Sequence, residues 1–284
     1  MNLVMDKSGK VYGLLIVTVV VSLALLLISL TLSQFRSQLL PVSYLILIQI
    51  LAYLTYFQFR KAVTAPPGSI LRIEPSEVSP SELRLSDILL KEFDYIKETA
   101  AQAMNDRHTM VNYFLIITGV VTTLLGGLLV KDVSLASHQK NEIAQALALI
   151  FNFIGWLYFM QLVRLRQAWC SSAEAMNQIK EFYITNCGIF DEAARSAFLW
   201  RVDSIPAPGK KSNVFYYSAI LISLISSAIL TFASLISFVP GASKAGHYFS
   251  GGLGLYHFLF QVIMYSVFLD YKMEQNNESE NKAG

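Results

Sequence analysis

Acidic and basic side chains are missing from six long stretches of this sequence, residues 11–35, 37–59, 108–130, 143–163, 212–243 and 245–269. Each is as long as the roughly 20 residues that an α-helix needs to cross about 30 Å of hydrocarbon. Charged residues make up only 15% of the 284-residue chain, where soluble domains carry about a quarter. That deficit excludes an ordinary soluble domain. The stretches also lack the polar–apolar alternation of barrel strands, which run for about 10 residues; "LLIVTVVVSLALLLISL" does not alternate. The predicted fold class is an all-α integral membrane protein with six transmembrane helices: TM1 11–35, TM2 37–59, TM3 108–130, TM4 143–163, TM5 214–239 and TM6 247–269.

Other scarcities narrow the chemistry. There are two cysteines, Cys170 and Cys187, at a spacing that fits neither a metal nor a redox motif, so free thiols are expected. His108 and His138 have no metal-ligand company in the sequence, and neither a metal nor a cofactor is expected. No Walker loop, strand-borne GxGxxG, HExxH or nucleophile elbow is present. Ser250, His247 and His257 share one helix, whereas serine chemistry inside a membrane needs nucleophile and base on facing elements. The expectation is a protein that is not an enzyme. A net charge of +2 gives no ground for a nucleic-acid partner, and none is expected. Ion-coupled transporters keep acidic or basic residues at membrane depth, so the empty spans also argue against that class.

The charges that are present fall unevenly. The N-terminal segment, loops 60–107 and 164–211 and the C-terminal tail hold 18 of the 22 basic residues, against Arg36, Lys131, Lys140 and Lys244 on the other side. The positive-inside bias then places both termini and both long loops in the cytoplasm, with the bilayer expected to be the inner (plasma) membrane. The first window is too long for a signal peptide and lacks a small-x-small cleavage site, so it reads as a retained anchor.

Residues 62–80 hold "APPG", Pro75 and Pro80 and read as a linker. "SPSE" offers a capping serine, Pro80 at the first helical position and Glu82 for a capping box. No breaker then follows until Gly119, well inside TM3. Apolar or small residues recur in steps of four and three through Phe93, Ile96, Ala100 and Ala103, then through Arg107, Met110 and Phe114, a heptad seam. The spacing predicts one helix running from water into lipid, with about 25 residues projecting roughly 35–40 Å from the bilayer. TM4 mirrors it, continuing past Leu165 through Trp169, Ser172, Met176 and Ile179. The connection between them is short, so the two are expected antiparallel, pairing Ala103 with Trp169, Ala100 with Ser172, Ile96 with Met176 and Phe93 with Ile179. Small residues then oppose the large indole.

The predicted organisation is an N-terminal hairpin (1–61), the linker (62–80), a core helical hairpin extended into the cytoplasm (81–188), a short interfacial helix and linker (189–211), a C-terminal hairpin (212–270) and a disordered tail (271–284). Ser223, Ser227, Thr231 and Ser234 share one face of TM5, with Ser226 and Ser237 beside it. Such a face suits a polar pore lining, or close helix packing, which is the more general use of small residues in lipid. Arg107, Arg164 and Arg166 mark the membrane interface. Arg107 on the seam suits a lipid phosphate, an oligomer contact or a snorkelling anchor. Asn112, Asn152, Gln161 and Gln261 are candidates for interhelical hydrogen bonds.

Two segments carry a family likeness. "MNDRHTMVNYFLIITGVVTTLLGG", with Arg107, Asn112, Phe114 and Leu115, resembles the start of the first membrane helix in the SLATT superfamily, which includes RipA-like octameric membrane proteins. "GWLYFMQLVRLRQAWCSSAEAMNQIKEFY", with Trp156, Arg166, Gln167, Ala173, Met176 and Ile179, resembles the end of the second family helix. The likeness covers about residues 85–185, and the chain departs from the pattern by extra helix pairs on both sides. The resemblance implies a homo-oligomeric inner-membrane assembly, and a role like that proposed for some relatives as pore-forming effectors in nucleotide-signalled bacterial conflict systems. The expected function is a pore-forming or membrane-perturbing effector gated through its cytoplasmic hairpin. The alternatives are a non-conducting scaffold or accessory subunit that docks a cytoplasmic protein partner, and a passive transporter for an uncharged solute.

Overall fold

The structure, a computed structural model, describes residues 7–63, 85–129, 136–186, 213–238 and 244–283. Among these residues every regular element is helical: α1 (Lys7–Thr31), a 3-10 turn (Ser33–Gln38), α2 (Leu39–Val63), α3 (Leu85–Leu129), α4 (Ser137–Asn186), α5 (Val214–Ile236) and α6 (Lys244–Ala283). Six helices are long and apolar enough to cross a membrane, and the chain is a multi-pass membrane protein. In lipid each backbone N–H and C=O must be paired inside its own segment, and a helix does this.

Local chemistry places the breaks. Leu32 leaves the helical region at φ −93° and ψ 112°, and the Phe35 N–H bonds the Leu32 carbonyl at 2.9 Å to close the turn. Phe35 fixes that turn to the bundle, stacking on Phe249 at 4.9 Å and meeting Phe238 edge-on at 6.3 Å. Pro41 lies in the first turn of α2, where its missing N–H leaves no hydrogen bond unmade. Asn213 caps α5, its side chain accepting the Tyr216 N–H at 2.9 Å.

α3 and α4 are 45 and 50 residues long, so each spans more than twice the roughly 30 Å of a hydrocarbon core. α3 passes Arg107 and Gly119 without a break. Phe114 on α3 stacks on Phe151 and meets Tyr158 of α4, and Lys180 Nζ lies 5.9 Å from the Phe93 ring centroid. α4 also packs along α5, and α5 along α6, with α2 touching α4, α5 and α6. α1 lies against α2 at the margin, with Val20, Leu23 and Leu27 exposed.

The buried side chains form two apolar clusters. One gathers Phe114, Trp156, Phe159, Ile222, Phe260 and Phe268. The other gathers Val42, Leu45, Ala148, Leu230, Ala233 and Leu253, nearer the short connections. Within lipid these side chains stabilise the bundle by van der Waals packing against neighbouring helices rather than by leaving water. Between the clusters lies a polar layer.

Three expectations meet the described residues differently. The SPSE cap, most of the 62–80 linker and the 189–211 helix and linker lie outside them. The 271–284 segment, expected as a disordered tail, instead continues α6 as far as Ala283. Residues 255–283 hold no proline or glycine, and Met, Glu, Gln, Lys and Ala favour helix. The 3-10 turn at 33–38 takes up the end of the expected TM1 and the start of TM2.

Candidate functional site

Asn152 is the hub of the polar layer. It lies midway along the uncharged window of α4, about ten residues and hence about 15 Å from either end. Its Nδ2 donates to the Ser226 carbonyl at 2.6 Å and reaches Ser226 Oγ at 2.9 Å and His257 Nε2 at 3.3 Å. Tyr44 Oη donates to Asn152 Oδ1 at 2.8 Å. Gln261 Nε2 lies 3.1 Å from His257 Nε2 and 3.5 Å from Ser226 Oγ. Four helices, α2, α4, α5 and α6, thus meet through side chains that are fully or partly buried.

The network fixes the orientation of the Asn152 amide. A backbone carbonyl can only accept, so the Ser226 carbonyl sets Nδ2 of Asn152 as the donor side of the amide. Where that amide nitrogen donates to it, Nε2 of His257 is the acceptor and the proton of the neutral ring tautomer sits on Nδ1. That nitrogen is buried without a partner, as is Gln261 Oε1. An orphaned buried donor or acceptor costs about 1–3 kcal/mol, so the layer holds an unused donor and an unused acceptor. Ser223 Oγ, Ser227 Oγ and Gln49 Nε2 are also buried and unpartnered.

Polar pairs continue from the layer toward the short connections. Gln38 Nε2 donates to the Ser234 carbonyl at 3.0 Å, Ser234 Oγ donates to Gln38 Oε1, and Ser234 meets Ser250 Oγ at 2.7 Å. Further out, Gln145 hydrogen-bonds Ser237 and the Ala233 carbonyl. Gln145 and Ser237 in turn line a cavity of about 460 Å³ with Ser37, Asn141, Glu142 and Phe238 among its walls. At its rim His138 Nδ1 lies 3.4 Å from Glu142 Oε1. Three groups of polar side chains are thus strung along one bundle, at the cavity, at Gln38, Ser234 and Ser250, and at mid-span. They form a discontinuous polar column, with Leu230 and Leu253 of the second apolar cluster set between its parts.

The α5 hydroxyl face turns into this column. Ser223, Ser227 and Ser234 are buried and Thr231 is half-buried. Glycines let the neighbouring helices approach it. A Cβ at Gly155 of α4 would meet Ser226 Oγ at 3.0 Å, and one at Gly254 of α6 would strike Thr231 Oγ1 and lie 3.1 Å from the Ser227 carbonyl. The face therefore packs inside a single bundle, and the same residues supply the column's polar groups. Ser250 pairs with Ser234 and His257 with Asn152 and Gln261, an arrangement unlike a serine–histidine catalytic pair.

The remaining expected site residues divide by depth. Ile96, Ala100, Ala103 and Ser172 are buried, while Phe93, Trp169, Met176 and Ile179 are half-buried. Arg107 and Arg166 are buried at 2% and 3% exposure, and Arg164 is exposed. Arg107 therefore does not extend into solvent as a snorkelling side chain does. Among the four amides singled out in the sequence, Asn152 and Gln261 enter the layer, while Asn112 and Gln161 are exposed. Sequence reasoning missed Tyr44, Gln38 and Gln145 and placed His257 only in a serine set. The signal for His257 was an imidazole at the midpoint of a charge-free window, four residues before Gln261. Neither family models, nor curated proteins, nor solved structures match this chain.

Proposed function

We propose that this chain is a homo-oligomeric, multi-pass protein of the bacterial inner membrane that forms a gated pore, with the polar pathway inside each bundle. The observation that carries the reading is the mid-membrane layer of Asn152, Ser226, His257 and Gln261, with Ser234, Gln38 and Gln145 supplying further polar groups along the same bundle toward the cavity. Polar groups at membrane depth are costly, and residues such as His257 mark pathways more often than chance packing does. The described spans carry no carboxylate in this layer, which favours uncharged solutes. The reading is non-enzymatic.

In this proposal the ends of α3 and α4 beyond the apolar windows form an antiparallel hairpin in the cytoplasm, the side on which both termini lie. Phe93 beneath Lys180, and the burial of Ile96, Ala100, Ala103 and Ser172, support it. A helix continuous across the interface transmits displacement from that hairpin to the bundle, which makes the hairpin the gate's input. The likeness to the SLATT superfamily supports an effector role. Self-association finds support in α3, where Gly119, Thr123 and Gly127 form a small-x-x-x-small line and nothing lies within 4 Å of a Cβ added at Gly119 or Gly127. Such lines favour close helix pairing in lipid.

Reconstituted wild-type protein is expected to admit a small neutral solute into liposomes, and Asn152→Leu to abolish entry while the protein still folds. Vesicles that stay sealed with wild-type protein would end the pore reading. Trp169→Ala and Ala100→Glu are each expected to raise protease sensitivity of the 85–186 segment outside the bilayer, and unchanged resistance would count against the hairpin. A second reading, a scaffold that docks a cytoplasmic protein, is favoured by Leu90 and Tyr95. Both are large, apolar and more than half exposed on the part of α3 before Arg107.

A further inference from the structure

Three positive features meet at a single aromatic ring. Phe215, the second residue of α5, is buried at 2% exposure. Arg107 Cζ of α3 lies 5.2 Å from its centroid and Arg166 Cζ of α4 lies 5.6 Å from it. Arg166 also lies 4.7 Å from the Trp169 ring. The positive end of the α5 dipole begins at Val214, in the same place. A guanidinium stays charged at any working pH, and contact with a ring returns only about 0.5–2 kcal/mol. Burying such a charge costs several kcal/mol unless an anion and hydrogen bonds accompany it. Arg107 is only half provided for: Nη2 reaches His108 Nε2 at 2.6 Å, while Nη1 is buried with no hydrogen-bond partner.

We infer that Arg107, Arg166 and the N-terminus of α5 form a binding site for a phosphate-bearing anion. The unused Nη1 and the fork geometry of the guanidinium suit two oxygens of one phosphate. Depth agrees with this. Arg107 directly precedes the uncharged window of α3, Arg166 follows that of α4, and Phe215 opens that of α5, so all three lie at the level of lipid headgroups. Tyr216 and Tyr217 beside them are residues favoured at that level. His108 is exposed and occupies the Nη2 that the ligand would take as its second donor. Being exposed, it is the partner of Arg107 that a phosphate would displace. The phosphate has two sources, an anionic phospholipid of the adjoining leaflet or a soluble phosphate.

The test uses the full chain in micelles of dodecyl maltoside, a detergent without phosphate. One arm adds phosphatidylglycerol and the other adds inorganic phosphate, with ligand retention read by native mass spectrometry and thermal unfolding. Wild-type protein is expected to bind in at least one arm, and the arm that responds names the source. Arg107→Gln is expected to weaken binding about tenfold to a hundredfold, with Arg107→Lys between. His108→Ala, a change at an exposed residue, frees Nη2 and is expected to tighten binding in the same arm. That gain is one that a purely structural arginine would not give, and it reads the site even where Arg107→Gln fails to fold. Absence of binding in both arms, wild-type affinity in folded Arg107→Gln, or weaker binding in His108→Ala would overturn the assignment.

Discussion

α3 and α4 are nearly the same length, and the most apolar stretch of each has the same mean hydropathy, 1.8, yet 11% of that stretch is buried in α3 and 50% in α4. α4 touches α2, α3, α5 and α6, while α3 turns Ile116, Val120 and Leu124 outward. Their glycines repeat the contrast. Gly155 of α4 has Ser226 pressed against it, whereas Gly119, Gly126 and Gly127 of α3 face open space. Hydropathy says that a helix belongs in lipid and says nothing of its place there. Polar side chains carry that information, because lipid drives them inward to find partners.

The contrast can be broken most forcefully at a glycine. Gly254→Val would drive a side chain into Thr231 and the Ser227 carbonyl, and a loss of about 3 kcal/mol is expected from overpacking, read by thermal unfolding in detergent. Gly126→Val on α3 is expected to change stability by under about 0.5 kcal/mol. Equal losses for the pair would erase the distinction between the helices. Next comes Asn152→Ala, which leaves the Tyr44 hydroxyl and the Ser226 carbonyl without the amide. The expected loss is about 1–3 kcal/mol, falling toward about 0.6 where lipid-solvated states find other partners. Asn112→Ala, exposed on α3, serves as its neutral counterpart. The smallest effect on folding belongs to the double change Gly119→Ile and Gly127→Ile, expected within about 0.5 kcal/mol of wild type while lowering the particle mass by native mass spectrometry. An unchanged mass would remove α3 as the face of association.

The six spans were legible because absence of charge over more than 20 residues has few other meanings. The windows at 11–35, 143–163 and 214–239 fall on α1, α4 and α5, although the 3-10 turn takes the last residues of the first and α4 runs well past the second. The unbroken run of α3 through Arg107 was legible too, from a seam that keeps its register. The polar layer was not. Tyr44 and Ser226 have nothing unusual in their neighbours along the chain, and their roles come from Asn152 meeting them across 108 and 74 residues. The hydroxyl face of α5 left two readings open, since serine serves packing and polar lining alike. Only the neighbouring Gly155 and Gly254 decide that it turns inward. Polar composition alone does not mark the end of α6, which continues as helix to Ala283.

Thiol accessibility compares the two regions most directly. In a background lacking Cys170 and Cys187, single cysteines replace Ser237 at the cavity, Ser227 in the column and Val120 on the outward face of α3. A small water-soluble thiol reagent is then added to protein in liposomes. The account predicts fast modification at Ser237→Cys, slower modification at Ser227→Cys and none at Val120→Cys, since water reaches the column and lipid covers α3. Modification of Val120→Cys with Ser227→Cys untouched would contradict it.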